Sequence, residues 1–250
     1  VDSNALTVGV VNPNGVAATG LISISTVSGN LTISEDITTS STAINAIVLN
    51  ASSATAAGTS TGGEIIIGTT SASATPVMTT GTGGRVTMYS GSVSGSTGLT
   101  ALVSSGSGRF RYYSDETTTN YTTALSSGMY AIYRERPVAT ITATSQSITY
   151  GDSLSLTGTT SGLLNGDAGS YSVSSPLYST SSNLKVGTYT IVGGGLTPLG
   201  YNATATNGTL TVTQKAVTIS GFAVSDKAYD GGTTATVTNA GTVSGKVSGD

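Results

Sequence analysis

Apolar residues recur at every second position in six short runs: ALTVGVV at 5–11, LISIS at 21–25, NLTIS at 30–34, AIVLNAS at 46–52, EIIIG at 64–68 and RVTMYSG at 85–91. Period-two alternation places one set of side chains on one face of an extended strand, and Gly, Asn, Ser and Thr bound each run as turn formers. Each run is therefore predicted as a strand. No stretch combines a helical apolar stripe with capping residues, so the fold class is predicted as all-β. The runs follow at about 10 to about 20 residues, a spacing that suits rungs of a solenoid or strands of a sandwich. Small-residue turns (ATAAGTSTGG at 54–63, TTGTGG at 79–84) and stackable Ile, Val and Leu centres favour the solenoid. Asn45 and Asn50 are candidates for stacked ladders at its corners or for ordinary turn positions.

The texture changes at residues 105–137, where Phe110, Tyr112, Tyr113, Tyr121, Tyr130 and Tyr133 gather with Arg109, Arg111, Arg134 and Arg136. A solenoid must close its open end, and bulky aromatics with flanking charge suit that task. The same cluster read as a ligand site would stack sugar rings. Pro137 marks a boundary. Residues 138–214 then read as a small β module with strands in 139–158, 170–175, 186–195 and 207–214, each with one apolar and one hydroxylic face, as in an antiparallel, sandwich-like sheet packed on one side. A third segment, 215–250, opens with KAVTISGFAVSDKAYDGGTTATV and echoes the second: Tyr150 and Tyr229 each stand beside a Gly/Asp pair, about 80 residues apart, as at the start of a further module cut short.

Composition narrows the function classes. Ser and Thr supply about a third of the 250 residues, with 34 Gly, 12 Tyr, no Cys, no His and only 8% charged residues. Low net charge and repeated apolar runs argue against a disordered linker. A net charge of -3 without a basic stripe argues against nucleic acid as a partner. No run approaches the roughly 18 apolar residues of a membrane helix. Without Cys or His the chain lacks disulfides, thiolate nucleophiles and the commonest general base, so no catalytic residue is assigned and the chain is not read as an enzyme.

The remaining candidates are weighed on their residues. Asp152, Asp167, Asp230 and Asp250 stand beside Gly, as weak Ca²⁺ ligands would or as Asx turns do; turns are favoured, and no cofactor is assigned. Glu35, Asp36, Glu64, Asp115 and Glu116 supply acids for a glycosidase pair, which needs carboxylates about 5 to 9 Å apart across a cleft, but adjacent acids on a strand point apart. VGGGLTPLG at 192–200 lacks the Lys-Ser/Thr ending of a phosphate loop. Asn30, Asn50, Asn120, Asn202 and Asn207 match the glycosylation acceptor pattern, as chance allows in so Ser/Thr-rich a chain. Lys227 with Asp230 or Asn239 is a candidate isopeptide pair, with solvated turn charges as the simpler reading.

Three parts of the chain carry a family resemblance. SITYGDSLSLTGT, LNGDAGSYSV, VGTYTI and GYNATATNGTLTVTQ resemble the glycine-rich, mostly-β module of filamentous-haemagglutinin-type exoproteins exported by two-partner secretion, and DKAYDGGTTATVTNAGTVSGKVSGD resembles the opening of their Tyr-Asp-Gly module. GNLTISEDITT, GGRVTMYSGSVSGSTGLTALV and the 105–137 segment are similar to the last coils and closing segment of the right-handed parallel β-helix in such proteins. The resemblance implies three parts: a β-helix end with aromatic cap at 1–137, a glycine-rich module at 138–214 and the start of a truncated module at 215–250. It also implies a rod-like fragment of a fibrous adhesin at the Gram-negative cell surface or released from it, with an outer-membrane transporter for export. Its partners would be a host or bacterial surface glycan or protein, or further copies in a fibre or biofilm matrix. It supplies no catalytic residue.

Overall fold

The computed structural model describes residues 1–9, 14–72, 74–174 and 183–249. Of the sequence readings above, Val10, Val11, Ser175 and Asp250 lie outside the described residues. The chain divides into two compact units, one made of Val1–Ile141, Thr160–Ser170 and Gly194–Ala205, the other of Thr142–Thr159, Tyr171–Gly193 and Thr206–Asp250. These units do not follow the sequence segments, because two stretches from 138–214 belong with the first.

In the first unit the chain passes three times through the same cycle of short strands. The first round is β1 (Leu6–Val8), β2 (Val16–Ala18) and β3 (Ile22–Ser25); the second is β4 (Leu31–Ile33), β5 (Ile37–Thr39) and β6 (Ile47–Asn50); the third is β7 (Ile65–Ile67), β8 (Met78–Thr79) and β9 (Arg85–Ser90). A five-residue helix, α1 (Leu99–Val103), then precedes β10 (Phe110–Arg111) and β11 (Gly128–Tyr133). Three sheets result, β1-β4-β7, β2-β5-β8 and β3-β6-β9-β11-β10, so each round contributes one strand to each sheet. The pairings are parallel throughout.

Register explains why the rounds stack. Leu6, Leu31 and Ile65 form one column, Val16, Ile37 and Met78 a second, and Ile22, Ile47 and Val86 a third. Leu31, Ile37, Ile47 and Ile65 are fully buried, while the strand residues between them, such as Thr32 and Val48, are half-buried. One apolar face per strand thus builds a single interior, and slipping one strand by one residue would turn its Ile or Leu outward. The expected strands at 21–25, 30–34, 46–52, 64–68 and 85–91 all contain one. The whole β2-β5-β8 sheet and the short α1 were not expected. Nor is there an Asn ladder: Asn50 pairs between Ser25 and Tyr89, and Asn45 is exposed in the turn before β6.

The segment after Pro137 carries β12 (Val138–Ala143), β13 (Gln146–Thr149), β14 (Gly158–Ser161), β15 (Ser170–Val173), β16 (Gly187–Gly194), β17 (Asn202–Thr206) and β18 (Gly208–Thr213). They form a three-stranded sheet, β14-β12-β17, and a four-stranded one, β13-β18-β16-β15. In the second unit Ala143, Leu184, Ile191, Leu210 and Val212 form the core, with Ile148, Tyr150 and Tyr171 packed against it. The expectation of an antiparallel sandwich-like module needs correction. β16 runs antiparallel to β18, but β13 runs parallel to it, so this sheet is mixed. Alternation reports which face of a strand is buried and is silent on its direction.

Two last strands, β19 (Thr218–Val224) and β20 (Val237–Ser244), pair as an antiparallel hairpin. Of the TTATV run at 233–237, only Val237 is in β20.

Candidate functional site: the aromatic closing segment

Residues 98–137 close the third sheet. Gly98 enters α1 at φ 76°, where an added Cβ would lie 2.9 Å from the Ile67 side chain, so a residue without one is required there. β11 then docks along β9, and β10 lies outermost beside β11. This order aligns the rings. Phe110 stacks on Tyr133 at 6.5 Å between centroids, Tyr133 on Tyr112 at 5.8 Å, and Tyr112 meets the edge of Tyr201 at 4.5 Å. All four are buried. Offset and edge-on pairs of this kind each add about 1 kcal/mol beyond the burial of their area.

The arginines serve the backbone. Arg111 is buried and donates from Nε to Thr123 O and from Nη1 to Gly108 O and Phe110 O, with its guanidinium over Tyr121 and Tyr130. Arg134, wholly buried, donates from Nη1 to Ala51 O (2.7 Å) and from Nη2 to Gly63 O (2.6 Å). Burial pushes both guanidinium groups below their ordinary value. Arg109 donates to Ser127 O and lies 5.2 Å from the centre of the Tyr130 ring. Tyr130 is buried and its hydroxyl is held by Ser126. Burial alone would raise that hydroxyl's pKa, but its hydrogen bonds to Ser126 and the positive charges of Arg109 and Arg111 outweigh it and hold it below the ordinary value. Tyr113, at φ 54°, is half-buried with Arg136 4.6 Å from its ring centre, and Tyr121 is half-buried. Phe110, Tyr112, Tyr130 and Tyr133 offer no open ring face on which a sugar could stack.

One member escaped sequence reasoning. The Asp167 carboxylate, considered above as a turn or a calcium ligand, is buried and accepts through Oδ2 from the Tyr112 hydroxyl (2.6 Å) and the Tyr201 hydroxyl (2.8 Å). Asn165 Nδ2 donates to the Tyr112 oxygen. Burial and the Asp167 charge push the Tyr112 hydroxyl far above its ordinary range, and burial raises Tyr201 as well. The NGDAG stretch at 165–169 signals a turn, and nothing in its spacing points to partners more than 30 residues away.

Of the other candidate acids, Glu116 is exposed and the rest accept from backbone amides and hydroxyls. Glu35 accepts from Ser71 N, Asp36 from Val77 N, and Glu64 from Ser92 N and the hydroxyls of Ser90, Ser92 and Ser96. Asp115 accepts from Ala57 N, Thr117 N, Thr117 Oγ1 and Thr118 N. Burial would raise Asp115, but those hydrogen bonds together hold it below its ordinary value. Glu135, half-buried beside Glu64, is pushed up by burial, despite a hydrogen bond from Val93 N that lowers it. Among the described residues no three acidic side chains gather where a metal ion would sit. Lys227 and Asp230 form an ion pair at 2.8 Å, exposed, with Gly232 N donating to Asp230 Oδ1. Asn239 accepts from Gly241 N. The burial that an isopeptide bond demands is missing there, and the pair is a solvated turn.

Stacked parallel sheets with a buried aromatic cluster at their end define a mostly-β protein, and the comparisons refine this for one segment. Residues 139–211 match the family model described as the MBG domain (YGX type). Within the match, Tyr150-Gly151-Asp152 follows β13: Gly151 sits at φ 90°, Tyr150 N donates to Thr213 O and Asp152 Oδ2 accepts from Thr149 N. No curated protein and no solved structure matches the chain.

Proposed function

We propose that this chain is a structural and adhesive segment of a large bacterial surface protein of the filamentous-haemagglutinin type. In this reading the three sheets are the last coils of a right-handed parallel β-helix, 138–214 is its glycine-rich module and 215–250 opens a Tyr-Asp-Gly module. The observation that carries it is the cyclic strand order, sheet one to two to three and round again, followed directly by an MBG domain. Domains of that type occur in large bacterial surface proteins. Its work is to extend and present a binding surface to a host or bacterial glycan or protein, which needs regular ladders and no reactive group. An outer-membrane transporter would export it. The test is adherence of beads coated with the full chain to epithelial cells or to biofilm: binding above that of uncoated beads supports the reading, and none contradicts an adhesive role for this segment.

One observation favours a second reading, a self-associating matrix filament. The β19–β20 hairpin exposes Ile219, Phe222, Val224, Val237 and Val243, with Phe222 60% accessible. Paired strands with bare apolar faces and free edges invite further pairing. Electron microscopy of the purified chain separates the readings by whether filaments form.

A further inference from the structure

The closing of the parallel sheets is completed by residues that arrive from beyond Pro137. Two stretches of the MBG-matched segment, 160–170 and 194–205, belong to the first compact unit. They meet the aromatic segment along its backbone as well as through Asp167. Tyr112 N donates to Leu199 O (2.9 Å), Thr122 N to Pro198 O (2.9 Å) and Gly106 N to Asn165 O (2.8 Å). Thr100 of α1 donates from Oγ1 to Asn165 Oδ1 at 2.6 Å.

The fit is close enough to dictate residue type. Gly200 holds φ 102°, and a Cβ there would come within 2.1 Å of Tyr112 O; at Gly166, φ 74°, it would come within 2.6 Å of Gly106 N. Asn165 takes φ 52°, a left-handed conformation that Asn tolerates better than most residues. Backbone approaches this tight, over a buried carboxylate shared by two phenols, mark a built interface.

We infer that residues 160–170 and 194–205 are an integral part of the cap, so that the aromatic segment and these two stretches fold as one cooperative element. The lock is the Tyr112–Asp167–Tyr201 trio. Without it, Tyr112 keeps its stacking on Tyr133 but loses the carboxylate that satisfies its hydroxyl in the interior. The consequence is that the parallel sheets depend on the module that follows them and are not a finished domain at Pro137.

Hydrogen exchange on the full chain, read peptide by peptide, tests this with Asp167→Ala and the milder Tyr201→Phe. Removing a charge-assisted, buried hydrogen bond is expected to speed exchange at 110–112 and 130–133 by about tenfold or more, with β18 unchanged. Should Asp167→Ala fail to fold, Tyr201→Phe carries the test alone. Wild-type protection at 110–112 and 130–133, whatever happens at 164–201, would overturn the inference. Adhesion does not enter this readout, so it stands or falls separately from the proposed function.

Discussion

Arg134 shows what a single side chain contributes in this chain. Its guanidinium joins the carbonyls of Ala51 and Gly63, which belong to successive turns of the backbone, in a fully buried place. Arg134→Met leaves both carbonyls without that donor, and a loss of about 3 kcal/mol is expected in a denaturant titration. Two of the perturbed acids act in opposite directions. Asp115 is held below its ordinary 3.8, so its contribution to stability is present above that value and is lost as pH falls through its lowered pKa. Asp115→Asn should therefore flatten the fall in melting temperature on the acid side. Glu135 is raised, so its ionised form is a cost at neutral pH that protonation removes. Glu135→Gln keeps an acceptor for Val93 N and should raise the melting temperature at pH 7 while leaving it unchanged near pH 3.

At the level of elements, the sheets differ in how readily they are read from sequence. β4 and β7 alternate buried and half-buried residues, β6 and β9 are mostly buried, and all four lie in runs of alternating aliphatics, so the sequence pattern locates them. β2 reads VAA, β5 ITT and β8 MT, runs too short and too poor in aliphatics to stand out. They become strands because the strands that flank them in the chain, in the other two sheets, already hold each round in register with the next. The aromatic segment was visible as a change of composition, whereas Asp167 and Tyr201 reach it only through the folded backbone, which no local spacing encodes. The parallel course of β13 was hidden for the reason that burial patterns have no direction. Stability should follow the same division. Leu31→Ala in the middle of the first sheet opens a cavity at a fully buried position beside the fully buried Ile65, and a loss of about 3 kcal/mol is expected. Phe222→Ser on the exposed hairpin should stay within about 0.5 kcal/mol of the parent.

For the molecule as a whole, the aromatic cluster holds the account together, because it can be the closing layer of a stack of sheets or a surface for sugars. Its geometry supports the closing role: Tyr130 lies inside, held at its hydroxyl by Ser126 and flanked by Arg109 and Arg111. Under the proposed function, the parallel sheets and the MBG-type module would serve to present a binding surface. Its Tyr-Asp-Gly stretch, with Tyr229 99% exposed and the Lys227–Asp230 pair in solvent, marks a turn within that plan. The most direct measurement is the melting curve of Tyr130→Ala in the full chain, taken alongside binding to a glycan array. A drop of about 10 °C is predicted, from the few kcal/mol that truncating a buried aromatic costs. An unchanged melting temperature together with lost glycan binding would contradict the closing role and make the cluster a sugar site.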